Sequence, residues 1–223
     1  MSDSLKDKIA KDTLWYTSSV YLAQILGIFS GIAMRRFLGP EDMGLWVLLQ
    51  TFMTFGLFCE MGIFTAMYCK IPIFVGQKDP DQVRQTQNAA FTFTMAGAFI
   101  VALFFISFGL WIGSKNVKLL SGCVAMAVLV VMTLVYNFYI SCSWALNHFK
   151  ALAITVVMNA VLMVLLVFLW VRSWGFYGSC ACSLTVTTVS VIVISVSMKL
   201  RPHFLWDWKR MKAGMGYRWS PLL

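Results

Sequence analysis

The stretch that decides the fold is Leu119–Ser143, with the sequence LLSGCVAMAVLVVMTLVYNFYISCS. It contains no Asp, Glu, Lys or Arg. About 20 mostly apolar residues, each rising about 1.5 Å along a helix, cross the hydrocarbon core of a bilayer. This stretch is longer than that minimum and is apolar around the whole helix. It therefore predicts a transmembrane helix.

Five further apolar blocks flank this stretch on both sides. They are Leu14–Phe37, Gly44–Lys70, Ala89–Trp111, Ala151–Val171 and Gly178–Met198. The last block alternates like a strand over residues 189–197. A lone strand in lipid would leave its backbone groups unpaired, so we interpret the block as a helix. Because short loops make sequential helices antiparallel neighbours, the sequence predicts an all-α integral membrane protein with a six-helix transmembrane bundle over residues 14–198.

The composition agrees with lipid as the solvent. Of the 223 residues, 60% are hydrophobic and 12% are charged, and the mean hydropathy is +0.77. A soluble domain carries roughly 25% charged residues, so this chain has too few to cover a globule in water. The first block is not a signal peptide, because it is too long, lacks a small-x-small cleavage site and is followed by five more blocks.

Lysine and arginine are distributed unevenly over the loops. If residues 1–13 are cytoplasmic, 13 of the 18 basic residues lie on cytoplasmic segments. The other five, on outer segments, are Arg35, Arg36, Lys115, Lys118 and Arg172. The positive-inside rule therefore predicts that both termini are cytoplasmic. The net charge of +9 indicates contact with anionic membrane lipids and not with nucleic acid.

Residues 199–223 are too polar to span the membrane. If they are helical, five apolar side chains share one face: Phe204, Trp208, Met211, Met215 and Trp219. This pattern is typical of an amphipathic linker in the inner interface, and a frayed tail is the alternative. Pro221 then stands where a further helix would begin. We interpret the end of the sequence as the start of a missing seventh span.

The cysteines and histidines do not follow the spacing of a metal site. The six cysteines lie in apolar blocks: Cys59, Cys69, Cys123, Cys142, Cys180 and Cys182. We predict free thiols that pack as small hydrophobic side chains. The two histidines, His148 and His203, fall in predicted cytoplasmic loops. We expect neither a metal nor a cofactor.

Glu60 is the one acidic residue inside a predicted span. A charged carboxylate at the centre of a membrane helix costs about 2.5–3.5 kcal/mol on insertion scales. The side chain must therefore take up a proton or face a wet cavity. One interpretation is a group that couples transport to protons or lines a cavity. The other is a carboxyl group that hydrogen-bonds to a neighbouring helix.

Arg35 and Arg36 end the first predicted span on the outer side. Guanidinium groups bind phosphate oxygens in a bidentate manner, so the pair is a candidate phosphate or substrate site. The alternative is that both are flanking residues whose heads reach the interface.

Small and polar residues mark other positions in the spans. Ala23, Gly27 and Gly31 follow the small-xxx-small spacing that predicts a close helix crossing. Further polar residues line a cavity or form interhelical hydrogen bonds. These candidates are Gln24, Gln50, Asn137, Asn159, Ser183 and Thr187.

Motifs of the common hydrolases and nucleotide-binding enzymes do not occur. The sequence has no Walker A loop, no G-x-S-x-G and no H-E-x-x-H. A membrane polymerase or acyltransferase would need catalytic acid, histidine or arginine clusters in its loops. The predicted outer loops are short and contain no histidine. We therefore expect that the protein is not an enzyme.

Four short segments carry a resemblance to a known family. They are LGPEDMG at 38–44, EMGIFTA at 60–66, ALNHFK at 145–150 and WGFYG at 174–178. They are similar, in this order, to the L-G-P-E-x-x-G turn, the end of span two, the basic loop before span five and the opening of span six of polysaccharide (O-antigen type) flippases. All four occur in register with the predicted spans.

The resemblance implies the MATE-like fold of the multidrug/oligosaccharidyl-lipid/polysaccharide (MOP) exporters, of which this chain would be the six-helix N-terminal half. It implies a bacterial inner-membrane protein that flips or exports a lipid-linked oligosaccharide of the undecaprenyl-pyrophosphate type, or a related polysaccharide precursor. Arg35 and Arg36 would meet the pyrophosphate, and Glu60 would sense a coupling proton. Because the family's cavity lies between two halves, we expect the chain to need a second half-transporter or a second copy.

Two alternatives stay open on the sequence. The first is a drug/cation antiporter of the same fold. The second is a truncated remnant that does not transport.

Overall fold

The computed structural model describes residues 3–60, 62–113 and 117–198, and every regular element within these ranges is helical. The elements are α1 (Asp3–Leu57), a 3₁₀ turn (Phe58–Glu60), α2 (Ile63–Gly76), α3 (Pro80–Gly113), α4 (Val117–Ala145), α5 (Phe149–Leu166), a π-helical turn (Val167–Val171) and α6 (Arg172–Met198). The predicted all-α fold class is confirmed. The predicted interfacial linker, residues 199–223, lies outside the described residues.

Four stretches of these helices are long and apolar enough to cross a bilayer. They are Thr13–Leu57, Pro80–Trp111, Val117–Ala145 and Phe149–Met198. The shorter α2 is also apolar and has 14 residues. The chain is therefore a helical membrane protein. The first and last stretches have 45 and 50 residues, about twice the length of one crossing, so the six predicted blocks do not correspond to six separate helices in the described residues.

Two glycines divide the longest stretches. Gly39 has φ 73° and ψ 171°, and Gly175 has φ 52° and ψ −124°. Side-chain-bearing residues rarely adopt these angles, whereas glycine does so readily. Pro40 follows Gly39 and has no N–H to donate within the helix. The helices therefore kink at both glycines, and the predicted boundaries before the second and sixth blocks fall at these kinks.

The second predicted span, Gly44–Lys70, is not one helix. α1 ends at Leu57, a 3₁₀ turn continues to Glu60, and Gly62 stands at the N-cap of α2 with φ 75°. The helical bonds restart where the Ala66 N–H donates to the Gly62 carbonyl at 3.0 Å. The positive φ of Gly62 ends one helix and allows the next to begin. Glu60 therefore lies at a break between two helical segments, and not inside one span as predicted.

The polar loop predicted at 76–88 is mostly helical, because α3 begins at Pro80. Asp79 caps this helix: its carboxylate accepts the Gln82 N–H at 3.1 Å and the Gln82 side-chain amide at 2.8 Å. An acidic cap followed by proline is a standard helix start. The prediction missed it because the first turns of α3 are polar.

Two apolar cores hold the helices together. The larger includes Leu49 and Phe176 and lies toward Gly39, which we call the Gly39 end of the bundle. The smaller includes Phe138 and Ile194 and lies toward Tyr16, which we call the N-terminal end. α3 packs along α4, and α1 packs along α5. Close packing of side chains, and not exclusion from water, stabilises such contacts in lipid.

Most described cysteines behave as predicted. Cys123, Cys142, Cys180 and Cys182 are buried free thiols. The packing prediction is wrong for Cys69, which is exposed on α2. Among the residues that the structure describes, no three His, Cys, Asp or Glu side chains are grouped so that they could hold a metal ion.

Candidate functional site

Polar side chains lie between residues of the larger core and residues of the smaller core along several helices. On α4, Asn137 lies between Leu134 of the larger core and Phe138 of the smaller core. We call the polar residues that lie between the two cores in this way the polar layer. Its other members are Gln24, Glu60, Thr94, Thr155, Asn159, Thr187 and Ser190. Five of the sequence-predicted candidates therefore fall between residues of the two cores along their own helices: Gln24, which is exposed, and Glu60, Asn137, Asn159 and Thr187.

Glu60 and Asn137 form a direct contact across the polar layer. The Asn137 Nδ2 donates to Glu60 Oε1 at 2.9 Å, and both side chains are half-buried. The bond joins the helix break before α2 to the C-terminal third of α4. Broken helices in membrane transporters commonly form binding sites, because their free backbone groups and helix ends face a cavity. The contact fits both interpretations of Glu60, as an interhelical bond and as a coupling group.

Hydrogen bonds continue from Asn137 toward the N-terminal end. The Ser141 Oγ donates its single proton to the Asn137 carbonyl at 2.8 Å. It must therefore accept the proton of the Tyr68 hydroxyl, 3.2 Å away. On α5, the Asn159 side chain lies close to the Tyr136 hydroxyl. The sequence analysis missed both tyrosines, because a tyrosine in an apolar span carries no local signal of its partner.

Thr94 is a second residue that the sequence analysis missed. Its side chain is 3% exposed, and its Oγ1 has no hydrogen-bond partner in the described part of the chain. Buried hydroxyls nearly always have a partner, either protein or water. Thr94 lies on α3, which contacts the 3₁₀ turn that ends at Glu60. It adds an unpaired polar group to the layer.

A groove of about 550 Å³ follows the exposed face of α1. Its lining residues are Gln24, Gly27, Ile28, Gly31, Ile32 and Arg35. The close helix crossing predicted at the small residues is wrong, because a Cβ built on Gly27 or Gly31 would meet no described atom within 4 Å. The small residues instead make the floor of the groove. Arg35 and Gln24 stand about 16 Å apart along the helix axis.

Arg35 and Arg36 occupy different positions despite their adjacency. Both are exposed, but consecutive residues of a helix point about 100° apart. Arg35 lines the groove, whereas Arg36 is not among its lining residues. The structure thus separates two arginines that the sequence treated as a pair.

An ion pair fixes the Gly39 end. The Lys118 Nζ lies 3.0 Å from Asp42 Oδ1, which connects the segment after the Gly39 kink to the start of α4. The second oxygen of Asp42 lies 3.8 Å from the position that a Cβ on Gly175 would occupy. Asp42 therefore contacts α4 and approaches the second kink. Lys118 remains largely exposed, so solvent and salt screen this pair.

Two of the predicted site residues lie away from the polar layer. Gln50 follows Leu49 of the larger core, and Ser183 follows Cys182 of the same core. Both side chains are half-buried. The structure does not join either of them to Glu60 or Asn137 by a hydrogen bond. Their roles, like those of all the predicted site residues, stay predictions.

Comparison with known proteins decides the family. A family model described as a polysaccharide biosynthesis protein matches residues 9–213, which is most of the chain. The chain belongs to this family. The polysaccharide-biosynthesis family is of the flippase, or MOP, type, so the resemblance carried by the four sequence motifs is confirmed. No curated protein and no solved structure matches the chain.

Proposed function

We propose that this member of the polysaccharide-biosynthesis family flips or exports a lipid-linked polysaccharide precursor across the bacterial inner membrane, and that Glu60 couples this movement to protons. The observation that carries the proposal is the bond from Asn137 to Glu60 at a helix break inside the polar layer. The family membership supports the substrate class and supports transport rather than catalysis.

The position of Glu60 suits a group that changes charge during transport. The residue lies two positions before the N-cap of α2, and the N-terminal end of a helix favours a nearby negative charge. Asn137 donates to Glu60 Oε1, and such a donor stabilises the charged form of a carboxyl. A rearrangement that removes the amide or the helix end from Glu60 would leave the charge without compensation, so the carboxyl would take up a proton. Transport would then move one proton with each change of state.

The fold supports six membrane crossings. The kinks at Gly39 and Gly175 each stand where the chain would reverse between two crossings, and the break at 58–62 lies inside the second crossing. We infer a MATE-like half-bundle with residues 1–13 in the cytoplasm and with the ends of the chain on the same side. A second half-transporter or a second copy would supply the other wall of the transport cavity.

The α1 groove is the proposed contact for the lipid-linked end of the substrate. Arg35 places a guanidinium group at one end of a groove whose other lining residues are uncharged, and such a group binds pyrophosphate oxygens in a bidentate manner. The apolar floor beside it suits the isoprenoid chain of an undecaprenyl-pyrophosphate carrier. Arg36 would add a second positive charge nearby. A drug or cation would not need this combination, which favours the lipid-linked glycan over the antiporter alternative.

The proposal can be tested by substituting Glu60 in cells that depend on this protein for surface polysaccharide. Glu60→Gln keeps the size and the hydrogen-bonding ability of the side chain but cannot carry charge. We expect surface polysaccharide to fall at least tenfold while the protein level in the membrane stays the same. Glu41→Gln is the matched control, because Glu41 is an exposed carboxyl in the segment after the Gly39 kink, and it should retain full transport.

Two results would contradict the proposal. Full surface polysaccharide with Glu60→Gln at every external pH would remove the proton role. Unchanged polysaccharide after deletion of the gene, together with altered resistance to cationic drugs, would favour the antiporter.

A further inference from the structure

A second concave surface lies at the N-terminal end, apart from the polar layer and from Arg35. It has a volume of about 700 Å³ and is lined by Tyr68 and Pro72 of α2 and by Trp144, Ala145 and Asn147 at the end of α4. We call it the aromatic groove. Tyr68 and Trp144 keep 39% and 36% of their surface exposed. Two aromatic rings are therefore available to a ligand.

Aromatic contacts from other helices hold the Trp144 ring. Tyr16 of α1 meets it edge-on, with ring centroids 4.9 Å apart and an interplanar angle of 81°. Phe149 of α5 meets it at 5.5 Å and 85°. Such edge-to-face pairs stabilise the orientation of the ring beyond simple burial. The indole is thus oriented before any ligand arrives.

Tyr68 is oriented by its hydroxyl. Because the proton of Ser141 goes to the Asn137 carbonyl, the Tyr68 hydroxyl donates to Ser141 Oγ. This bond links the aromatic groove to Asn137, the partner of Glu60. A ligand that displaced Tyr68 would therefore break its bond to Ser141, which lies one helical turn from Asn137.

Asn147 provides the polar contact of the groove. It adopts a left-handed conformation with φ 57° and is exposed, a conformation that asparagine tolerates better than most residues. Its amide offers two donors and an acceptor. The five lining residues include no charged side chain, so the groove is poorly suited to a phosphate. An acyl chain would form no hydrogen bond with the Asn147 amide, so it matches the groove less well than a ligand with hydroxyl groups.

A sugar ring matches these features. One face of a pyranose carries C–H groups with partial positive charge, which stack on the negative face of an aromatic ring. Its hydroxyls need both donors and acceptors, which an amide supplies. Binding sites for small molecules are generally concave and apolar, with a few placed polar groups.

We propose that the aromatic groove is a glycan subsite in which a sugar of the lipid-linked precursor stacks on Trp144 or Tyr68 and hydrogen-bonds to Asn147. This inference rests on the proposed function. The groove lies at the level of Tyr16, about 28 Å along α1 from Arg35, so the two sites hold different parts of the substrate. In the proposed orientation the groove opens at the cytoplasmic side, where the precursor would enter.

Site-specific photocrosslinking in living cells tests the subsite. Cells that make the polysaccharide are fed a radiolabelled monosaccharide, and the protein carries Trp144→p-benzoylphenylalanine. Mild acid cleaves the bond between the glycan and the pyrophosphate, so label that stays on the purified protein after this treatment reports a crosslink to the glycan itself. The matched control is Trp111→p-benzoylphenylalanine, because Trp111 is 80% exposed and does not line the groove. We expect at least fivefold more acid-resistant label at position 144 than at position 111.

A second pair of variants separates binding from folding. Asn147→Gly removes the amide and keeps the left-handed backbone, so it should reduce crosslinking at position 144 at least threefold without loss of membrane protein. Tyr68→p-benzoylphenylalanine, at a second exposed position of the groove, should crosslink as position 144 does and serves if the Trp144 variant does not accumulate.

The outcomes distinguish this inference from the proposed function. Equal label at positions 144, 68 and 111 would mean that the aromatic residues only anchor the helices at the membrane interface, which overturns the subsite. Ile32→p-benzoylphenylalanine reports on the α1 groove. Label at position 32 with none at 144 and 68 would overturn the subsite and keep the proposed function. Absence of label at all these positions would overturn both.

Discussion

The Asn137 Nδ2 lies 2.9 Å from Glu60 Oε1 and donates a hydrogen bond to it. The two residues are 77 positions apart in the sequence, yet they meet because the helix break before α2 lies beside the C-terminal third of α4. The contact joins the acidic group of the polar layer to the helix that also carries Tyr136 and Ser141. Through this bond, Asn137 influences how readily Glu60 gains or loses its proton.

Asn137→Ala should impair coupling more than stability. The substitution removes a donor to a carboxylate and leaves the fold otherwise intact, so we expect a loss of about 1 kcal/mol in stability, near the usual value for such bonds in membrane proteins. Because the amide stabilises the charged carboxylate, the profile of surface polysaccharide against pH should move toward alkaline pH. The measurement is polysaccharide output in cells held at a series of pH values.

The control for Asn137 is Asn159→Ala, which removes another half-buried amide of the polar layer. Asn159 lies close to Tyr136, whereas the donor to Glu60 is Asn137, so loss of the Asn159 amide should lower output without moving the pH profile. An identical shift in both variants would show that the effect is not specific to the Glu60 contact.

Arg35→Glu should abolish transport, whereas Arg36→Glu should retain a large part of it. Arg35 lines the α1 groove and Arg36 points away from it by about 100°, so a reversed charge at Arg35 repels the pyrophosphate directly. We expect at least a tenfold fall in surface polysaccharide for Arg35→Glu and no more than a threefold fall for Arg36→Glu. Equal losses would indicate a general effect of positive charge at this end, and normal output from both would remove the arginines from the mechanism.

Single cysteines should report six crossings. In a variant without native cysteines, Glu41→Cys and Ser173→Cys lie beside the two kinks and should react with an impermeant maleimide in whole cells. Lys78→Cys and Asn147→Cys lie in the turns at the other end and should react only after permeabilisation. The physical reason is that the chain would reverse at these four places in the proposed six-crossing arrangement. Labelling of position 78 in intact cells would contradict the proposed orientation.

Gly178→Ala should prevent normal folding. A Cβ at this position would lie 2.3 Å from the Trp170 carbonyl oxygen, where α6 packs against the backbone of the π-helical turn. Backbone atoms cannot move aside as a flexible side chain can, so we expect a large fall in the amount of monodisperse protein and a lowered Tm in detergent. Gly44→Ala is the control, since a Cβ there would meet no described atom within 4 Å, and it should behave as the natural protein does.

The positions of the long apolar blocks could be predicted from the sequence alone. A run of uncharged residues such as Leu119–Ser143 has no way to satisfy its backbone in lipid except as a helix, and α4 spans this run. The same reasoning identified Glu60 as unusual. A charged carboxylate in an apolar block costs free energy in the membrane, and the sequence alone shows that the residue is there.

The exact ends of the helices could not be predicted from the sequence in the same way. The helix was predicted to begin at Ala89 and begins at Pro80, because the Asp79 cap and the polar first turns of α3 resemble a loop in composition. The small-residue spacing at Gly27 and Gly31 predicts a crossing wherever it occurs, but only the arrangement of the other helices decides whether a partner is present. Here those residues line a groove instead.

The sequence by itself determined that this protein lies in a lipid bilayer and that its apolar blocks are helical. Both follow from local hydropathy and from the need of the backbone to form hydrogen bonds in lipid. Only the tertiary structure decided that Glu60 faces Asn137, that Arg35 and Arg36 separate, and that Tyr68 and Trp144 share a groove. Contacts between distant residues depend on the kinks, the register and the packing of whole helices, and no short stretch of sequence specifies these quantities.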